Sequence, residues 1–278
     1  MKQFTYSISE VIPYINWSYF FHAWMFPNNI VKKALEVGIC KKDEGIKEVL
    51  ELYSDALQML QILDEKKYHT HSLFELLNAS RNGDNIILQQ PESKSQQMVF
   101  PCLRDEGHCL ADFIDDKYNK IGIFASTIDG EIEKLYADDP YKSMLIKTLS
   151  DRLAEATAEY LHLQVRKTIW GYAQDEDLTI QQIYAEKFQG IRPAIGYPSL
   201  PDQSVIFILD QLLNLKDISI SLTENGAMIP HASTCGLMIN NPNAFYFSIQ
   251  TLNETQLEDY ALRRGMELKD IKHFLNKF

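Results

Sequence analysis

Cysteine is sparse in this chain: 4 residues in 278, Cys40, Cys102, Cys109 and Cys235, with no Cys-x-x-Cys pair among them. That spacing argues against a disulfide framework or a cysteine-built metal or redox site, and suits free thiols in a reducing compartment. Long apolar runs are missing as well. The longest, Tyr19 to Phe26 and Val205 to Leu213, are interrupted by His22 and Asp210, whereas a membrane span needs about eighteen apolar residues. The N-terminus has neither an apolar signal core nor a small-residue cleavage site, so a cytoplasmic protein without a membrane partner is expected. Positive charge is in deficit. Lys and Arg total 27 against 38 Asp and Glu, a formal charge of −11 with no basic run. Nucleic acids and anionic membranes reward clustered positive charge, so neither is an expected partner. Internal repeats and low-complexity tracts are also absent.

What the chain does have is 45% hydrophobic residues, enough for a packed core. Apolar spacing predicts a helix-like stretch from Ser7 to Met25 despite Pro13, an amphipathic helix from Asp43 to Leu63, and a helical piece from Ser72 to Leu77. Asn82-Gly-Asp84 reads as a turn into a short strand at Ile86 to Leu88, and Pro91 to Gln97 as an exposed loop. Strand signals follow at Met98 to Leu103, Cys109 to Phe113 and Ile121 to Ala125. Helix is expected from about Glu131 to Arg166, and Thr179 should cap a short one. Another helix should cover Ile206 to Leu213. Strands are expected at Ile218 to Leu222, Ala227 to Ile229, Gly236 to Ile239 and Phe245 to Ile249. The last helices should be Glu254 to Arg264 and Leu268 to Asn276, separated by Gly265. Clustered strands without regular βαβ alternation predict an α+β fold with a mostly antiparallel sheet. No break is long enough to be a linker, and one domain over residues 1–278 is expected.

One stretch stands out. Glu186-Lys-Phe-Gln-Gly190-Ile-Arg192-Pro-Ala-Ile-Gly196-Tyr197-Pro198 holds two glycines, two prolines and an arginine, which rules out a regular helix or strand. Gly196 lets backbone approach a ligand, and Arg192 offers a planar donor fork for a carboxylate or phosphate. Such a loop suits a small anionic or zwitterionic metabolite. On spacing alone, a connecting turn with Arg192 paired to a surface acid is the commoner outcome. In the preceding helix, Glu155, Glu159, His162 and Arg166 share a polar stripe, ordinarily a solvated face.

The order of residues says more. Arg192-Pro-Ala-Ile-Gly-Tyr-Pro198 resembles the Arg-Pro-Ala-x-Gly-Tyr-Pro signature of the activation domain of cobalamin-dependent methionine synthase. Asp151-Arg-Leu-Ala-Glu155-Ala-Thr-Ala-Glu159-Tyr-Leu-His162 resembles that family's signature helix, followed by Arg166-Lys-Thr-Ile-Trp170-Gly-Tyr172-Ala. Further matches are Leu222-Thr-Glu224, Pro242 to Tyr246, and Gln256 to Met266, in family order from about Val11 onward. The resemblance implies a single curved domain around a twisted antiparallel sheet flanked by helices, and a site for S-adenosylmethionine (AdoMet). It makes Arg192 the carboxylate ligand, sets the backbone of Ala194 and Gly196 against the adenosine, and lines the site with Tyr246 and Phe247. Glu155, Glu186 and Tyr197 are secondary candidates. Asn16 departs from the pattern, because the family has a ligand-contacting aspartate there. An asparagine offers only a neutral carbonyl to an ammonium, a difference of about fivefold in affinity.

The resemblance also implies reductive methylation, in which an electron and a methyl group from AdoMet restore methylcobalamin from inactive cob(II)alamin. No catalytic side chain of this chain's own is expected, since positioning dominates. The chain has no Asp-x-His-x-x-Gly cobalamin motif and no zinc-binding cysteine cluster. The corrin should therefore be carried by a separate methionine synthase subunit, with a flavodoxin-like protein as electron donor. Three other readings compete. Glu159-x-x-His162 has metal-ligand spacing, but the nearest second motif, Asp105-Glu-Gly-His108, holds a glycine and lies among strands, so no metal is expected. A synthase-binding protein that has kept the fold without catalysis is the second. A conventional methyltransferase is the third, and the chain lacks its Gly-rich strand-to-helix turn.

Overall fold

The computed structural model describes residues 1–37, 44–89, 97–105 and 107–275. The chain opens not with helix but with strand β1, Lys2–Ser7, followed by α1, Ile8–Val11. Ser7 ends the strand and caps the helix, its N–H donating to Glu10 Oε2 at 2.8 Å. Pro13 sits in a 3₁₀ turn, and Ile15 is extended, so the expected single helix breaks there. Asn16 restarts it as the N-cap of α2, Trp17–Ala23. Helix α3, Asn28–Val37, has no counterpart in the sequence reading, whereas α4, Glu44–Glu65, matches the expected amphipathic helix. The Pro91 to Gln97 loop lies outside the described residues except for Gln97, which opens a strand.

Strand β2 runs from His69 to Asn82, through the segment where a helical piece was expected. The reason is tertiary. Its first half pairs antiparallel with β1, its second half with β3, Asn85–Gln89, and its other edge with β5, Lys120–Ile128. A central strand is covered on both faces, so Leu73, Phe74 and Leu77 are all buried and the period of two disappears from the sequence. Strand β4, Gln97–Pro101, pairs with β3. The main sheet is antiparallel throughout, in the order β4-β3-β2-β5-β8, where β8 is Ser233–Met238, with β1 also beside β2.

Cys109 to Phe113 is not a strand but a 3₁₀ turn, Leu110–Phe113, because Asp112 turns back to accept from the Cys109 N–H at 3.0 Å. Helix α5, Pro140–Gln164, starts later than expected, at the Asp139 cap with proline in its first turn. It runs on into a π-helical turn, Val165–Ile169. Thr179 caps α6, Ile180–Tyr184, as expected, and α7 covers Ile206–Leu213. The short hairpin β6, Ser221–Leu222, and β7, Met228–Ile229, precedes β8, Ser233–Met238. Phe245 to Ile249 forms no strand: its aromatic rings pack on one another and on Phe113 instead. Helices α8, Glu254–Arg264, and α9, Leu268–Leu275, close the chain around Gly265 at φ 64°.

The twisted sheet is flanked by helices on both faces. Phe74, Phe124 and Met238 face α5 and its π-helical extension, where Ala158, Leu161 and Val165 meet them. Leu73, Leu77, Ile123 and Leu237 face the opposite way, toward α7. The α5 face leads to the site.

Candidate functional site

The Arg192 loop is irregular in sequence but tied along its length to the free edge of β8. Ile191 and Ile239 exchange N–H···O bonds at 2.9 Å, Leu237 N–H donates to Pro193 O at 3.0 Å, and Ile195 N–H donates to Cys235 O at 2.9 Å. Pro193 needs only to accept, so its missing N–H costs nothing. Close approach depends on Gly236, where an added Cβ would lie 2.2 Å from Pro193 O. Gly196, at φ +85°, turns the chain back, its N–H donating to Leu200 O at 2.8 Å.

This anchoring aims Arg192 toward α5. Its guanidinium lies 5.6 Å from the centre of the Phe124 ring and donates from Nη2 to Glu159 Oε2 at 3.1 Å. Its backbone N–H donates to the Tyr246 hydroxyl at 2.8 Å. Nε is buried without a hydrogen-bond partner, and Nη1 makes no hydrogen bond among the described residues. Burial works against the Arg192 charge, but Glu159, Tyr246 and Glu155 outweigh it and hold the guanidinium protonated. Burial also pushes the Tyr246 phenol up to about 12, against the pull of Arg192.

Behind Glu159 lies a second arginine. Arg166 has no exposed side-chain surface and is held bidentately by Glu176 at 2.9–3.0 Å, with its guanidinium 4.3 Å from the Phe188 ring centre. Glu159 Oε1 is 4.0 Å from Arg166 Nη1. The polar stripe on α5 is therefore a buried charge network rather than a solvated face. His162 belongs to it, fully buried with Nε2 3.4 Å from the Tyr172 hydroxyl and its ring edge-on to Phe188. Burial, then Arg166 and Arg192, pushes its pKa well below the usual histidine range.

Between α5, the Arg192 loop and the Tyr14–Tyr19 segment is a cleft of about 520 Å³. Asn16, Glu155, Glu186 and Arg192 line it, as do Ala194, Tyr197, Tyr246 and Phe247. The structure thus brings eight of the expected site residues together. Gly196 is not among the lining residues and acts through the turn it makes. Asn16 spends its side-chain oxygen on the Ser18 N–H at 3.2 Å. Tyr197, half-exposed at the mouth, donates to Glu155 Oε1 at 2.6 Å, and burial and Glu155 both raise its pKa. Glu186 follows α6 at φ 55°, and partial burial, then Glu159, raises its carboxyl pKa against the effect of Arg192.

Sequence reading missed Glu159 as a wall of the cleft, together with Tyr14, Tyr184 and Phe188. The shared helix face of Glu155, Glu159 and Arg166 was the available signal, and only the loop packed against it gives it meaning. Glu159 and His162 turn to different partners, Arg192 and Tyr172, so their spacing does not converge on one ion. No group of three metal-ligating side chains gathers among the described residues. An aromatic-walled cleft with a buried guanidinium keeping free donors at its floor fits an amphiphilic ligand bearing a carboxylate.

The fold and cleft define the class, an α+β domain with a cleft of small-molecule size beside a helix-backed sheet edge. The family follows from the whole chain. A sequence model of the vitamin B12 dependent methionine synthase activation domain matches residues 7–265, and the chain belongs to that family, part of a cobalamin-dependent methyltransferase. It is also similar to a crystal structure of the MetH reactivation domain bound to AdoHcy, at 34% identity and a TM-score of 0.88, over 99% of this chain and 89% of that one.

Proposed function

We propose that this chain binds AdoMet in the Arg192 cleft and supports reactivation of cobalamin held by a separate methionine synthase polypeptide in the cytoplasm. The observation that carries this reading is Arg192, a guanidinium lining a cleft large enough for a nucleoside, with Nε buried without a hydrogen-bond partner and one side-chain hydrogen bond, to Glu159, among the described residues. A carboxylate would satisfy the remaining donors in charge-assisted bonds. Aromatic walls at Tyr246 and Phe247 suit both an adenine face and a sulfonium. A related structure holding AdoHcy supports the choice of ligand.

The work of this chain is positioning. Arg192 anchors the amino-acid end, the loop backbone at Ala194 meets the nucleoside, and Tyr197 with Glu155 borders the open mouth through which the methyl group must face a partner. One electron from a flavodoxin-like donor and the methyl group of AdoMet together return cob(II)alamin to methylcobalamin, with AdoHcy as the leaving thioether. No side chain here is asked to move a proton.

Calorimetric titration of AdoMet and AdoHcy into the wild-type protein and Arg192→Ala tests the binding. Saturable binding lost in the variant is expected; equal binding by both proteins would overturn the assignment. A second reading, a synthase-binding protein without catalysis, draws on Asn16, whose oxygen already caps a helix. Adding the chain to a cobalamin-loaded synthase fragment lacking its activation region, with AdoMet and a low-potential reductant, separates the two. Recovery of methylcobalamin supports reactivation, whereas complex formation without recovery supports the second reading.

A further inference from the structure

An α-amino acid carries its two charges on substituents of one carbon, so a site that fixes its carboxylate also fixes where its ammonium lies. In this cleft the guanidinium offered to the carboxylate is itself bonded to a carboxylate, Glu159, at 3.1 Å. The other candidates for a cationic partner are less suited. Asn16 has its only side-chain oxygen engaged with the Ser18 N–H at 3.2 Å, and its amide carries no net charge. Glu155 already accepts from the Tyr197 hydroxyl at 2.6 Å, at the mouth. Glu186 sits on an exposed turn, its carboxylate makes no hydrogen bond or ion pair among the described residues, and partial burial raises its carboxyl pKa.

We propose that Glu159 is a specificity-determining residue of this chain, holding Arg192 in place through Oε2 and taking the ammonium of the ligand's amino-acid end, the task that Asn16 is not charged to perform. The inference rests on AdoMet-type ligands binding at Arg192. Two further features support it. The second oxygen of Glu159 is buried without a hydrogen-bond partner, with the nearest cation, Arg166, 4.0 Å away and clamped by Glu176. The charges behind the cleft are also paired, Arg166 with Glu176 and Arg192 with Glu159. A zwitterion adds no net charge to such a floor, whereas a ligand with a carboxylate alone would leave one negative charge in a site that burial makes unforgiving.

The test compares two ligands on two proteins by calorimetry: AdoHcy, and its deamino analogue with hydrogen in place of the ammonium, on wild type and Glu159→Gln. The glutamine keeps shape and can still accept from Arg192, so loss of charge is what is read. AdoHcy binding should weaken about tenfold in the variant while the analogue changes less than about twofold. Asn16→Asp placed in the Glu159→Gln background should recover AdoHcy binding and not analogue binding, which a misfolded variant would not do. Equal weakening of both ligands would overturn the inference, leaving Glu159 only a support for Arg192. An unchanged AdoHcy affinity would overturn it too. Wild-type protein that binds neither ligand would instead remove the AdoMet reading, and this inference with it.

Discussion

Arg166 and Arg192 belong to one buried charge network, and they differ in how completely their nitrogens are used. Arg166 has no exposed side-chain surface, and Glu176 meets both its Nε and its Nη2. Arg192 keeps 11% of its side-chain surface, makes a single side-chain hydrogen bond, and has Nε buried without a partner. Burial is thus common to both, and each leaves one buried nitrogen without a hydrogen-bond partner, Nη1 of Arg166 and Nε of Arg192; the number of bonds to carboxylate is what sets them apart. An arginine clamped through two nitrogens by a rigid carboxylate is part of the scaffold; one held by a single oxygen is preorganised with capacity to spare.

That contrast breaks most sharply at Arg166. Arg166→Met should cost about 3–5 kcal/mol in a denaturant titration, because it leaves the carboxylate of Glu176 buried without its partner. A loss below about 1 kcal/mol would show that Glu176 escapes to water. Arg192→Ala should have the opposite profile, with AdoHcy affinity reduced about a hundredfold and a smaller stability change, since Glu159 keeps Arg166 nearby. If instead stability collapses while the residual binding matches wild type, the roles assigned to the two arginines are reversed.

The histidine between them offers a sharper reading of the same network. His162 has a folded-state pKa depressed below the unfolded value of about 6.5, so the unfolded chain binds more protons as pH falls. Its contribution is complete above that value and is lost below it, by up to about 1.4 kcal/mol per pH unit. His162→Gln should flatten the stability profile between neutral and mildly acidic pH, and an unchanged slope would place the proton uptake elsewhere. The smallest effect belongs to the edge of the cleft. Asn16→Asp keeps a competent N-cap and adds a charge facing the site, so AdoHcy should bind about fivefold tighter. No gain would mean that the Asn16 side chain stays committed to Ser18.

Much of the fold was legible along the chain. Helices α4, α7 and α8 follow apolar spacing, because a helix that buries one face must repeat every three to four residues. The errors share a cause. Ser72 to Leu77 looked helical since a strand buried on both faces loses its alternation, and Cys109 to Phe113 looked like a strand until Asp112 bent it. The site shows the same division. Arg192, Ala194, Tyr197 and Tyr246 were placed by the order of residues in a recognisable motif, and they line one cleft.

Glu159 and Arg166 were visible as a polar stripe, but not as a buried one. Helical spacing places residues on a shared face and says nothing about what packs on it; here Arg192 and Glu176, 33 and 10 residues away from their respective partners, turn that face into an interior. Local order along the chain was therefore enough for the family, for most of the helices and for the irregular course of the Arg192 loop. Which charges are paired, and which arginine keeps free donors, depended on long-range packing, because desolvation and hydrogen-bond matching are properties of neighbours in space.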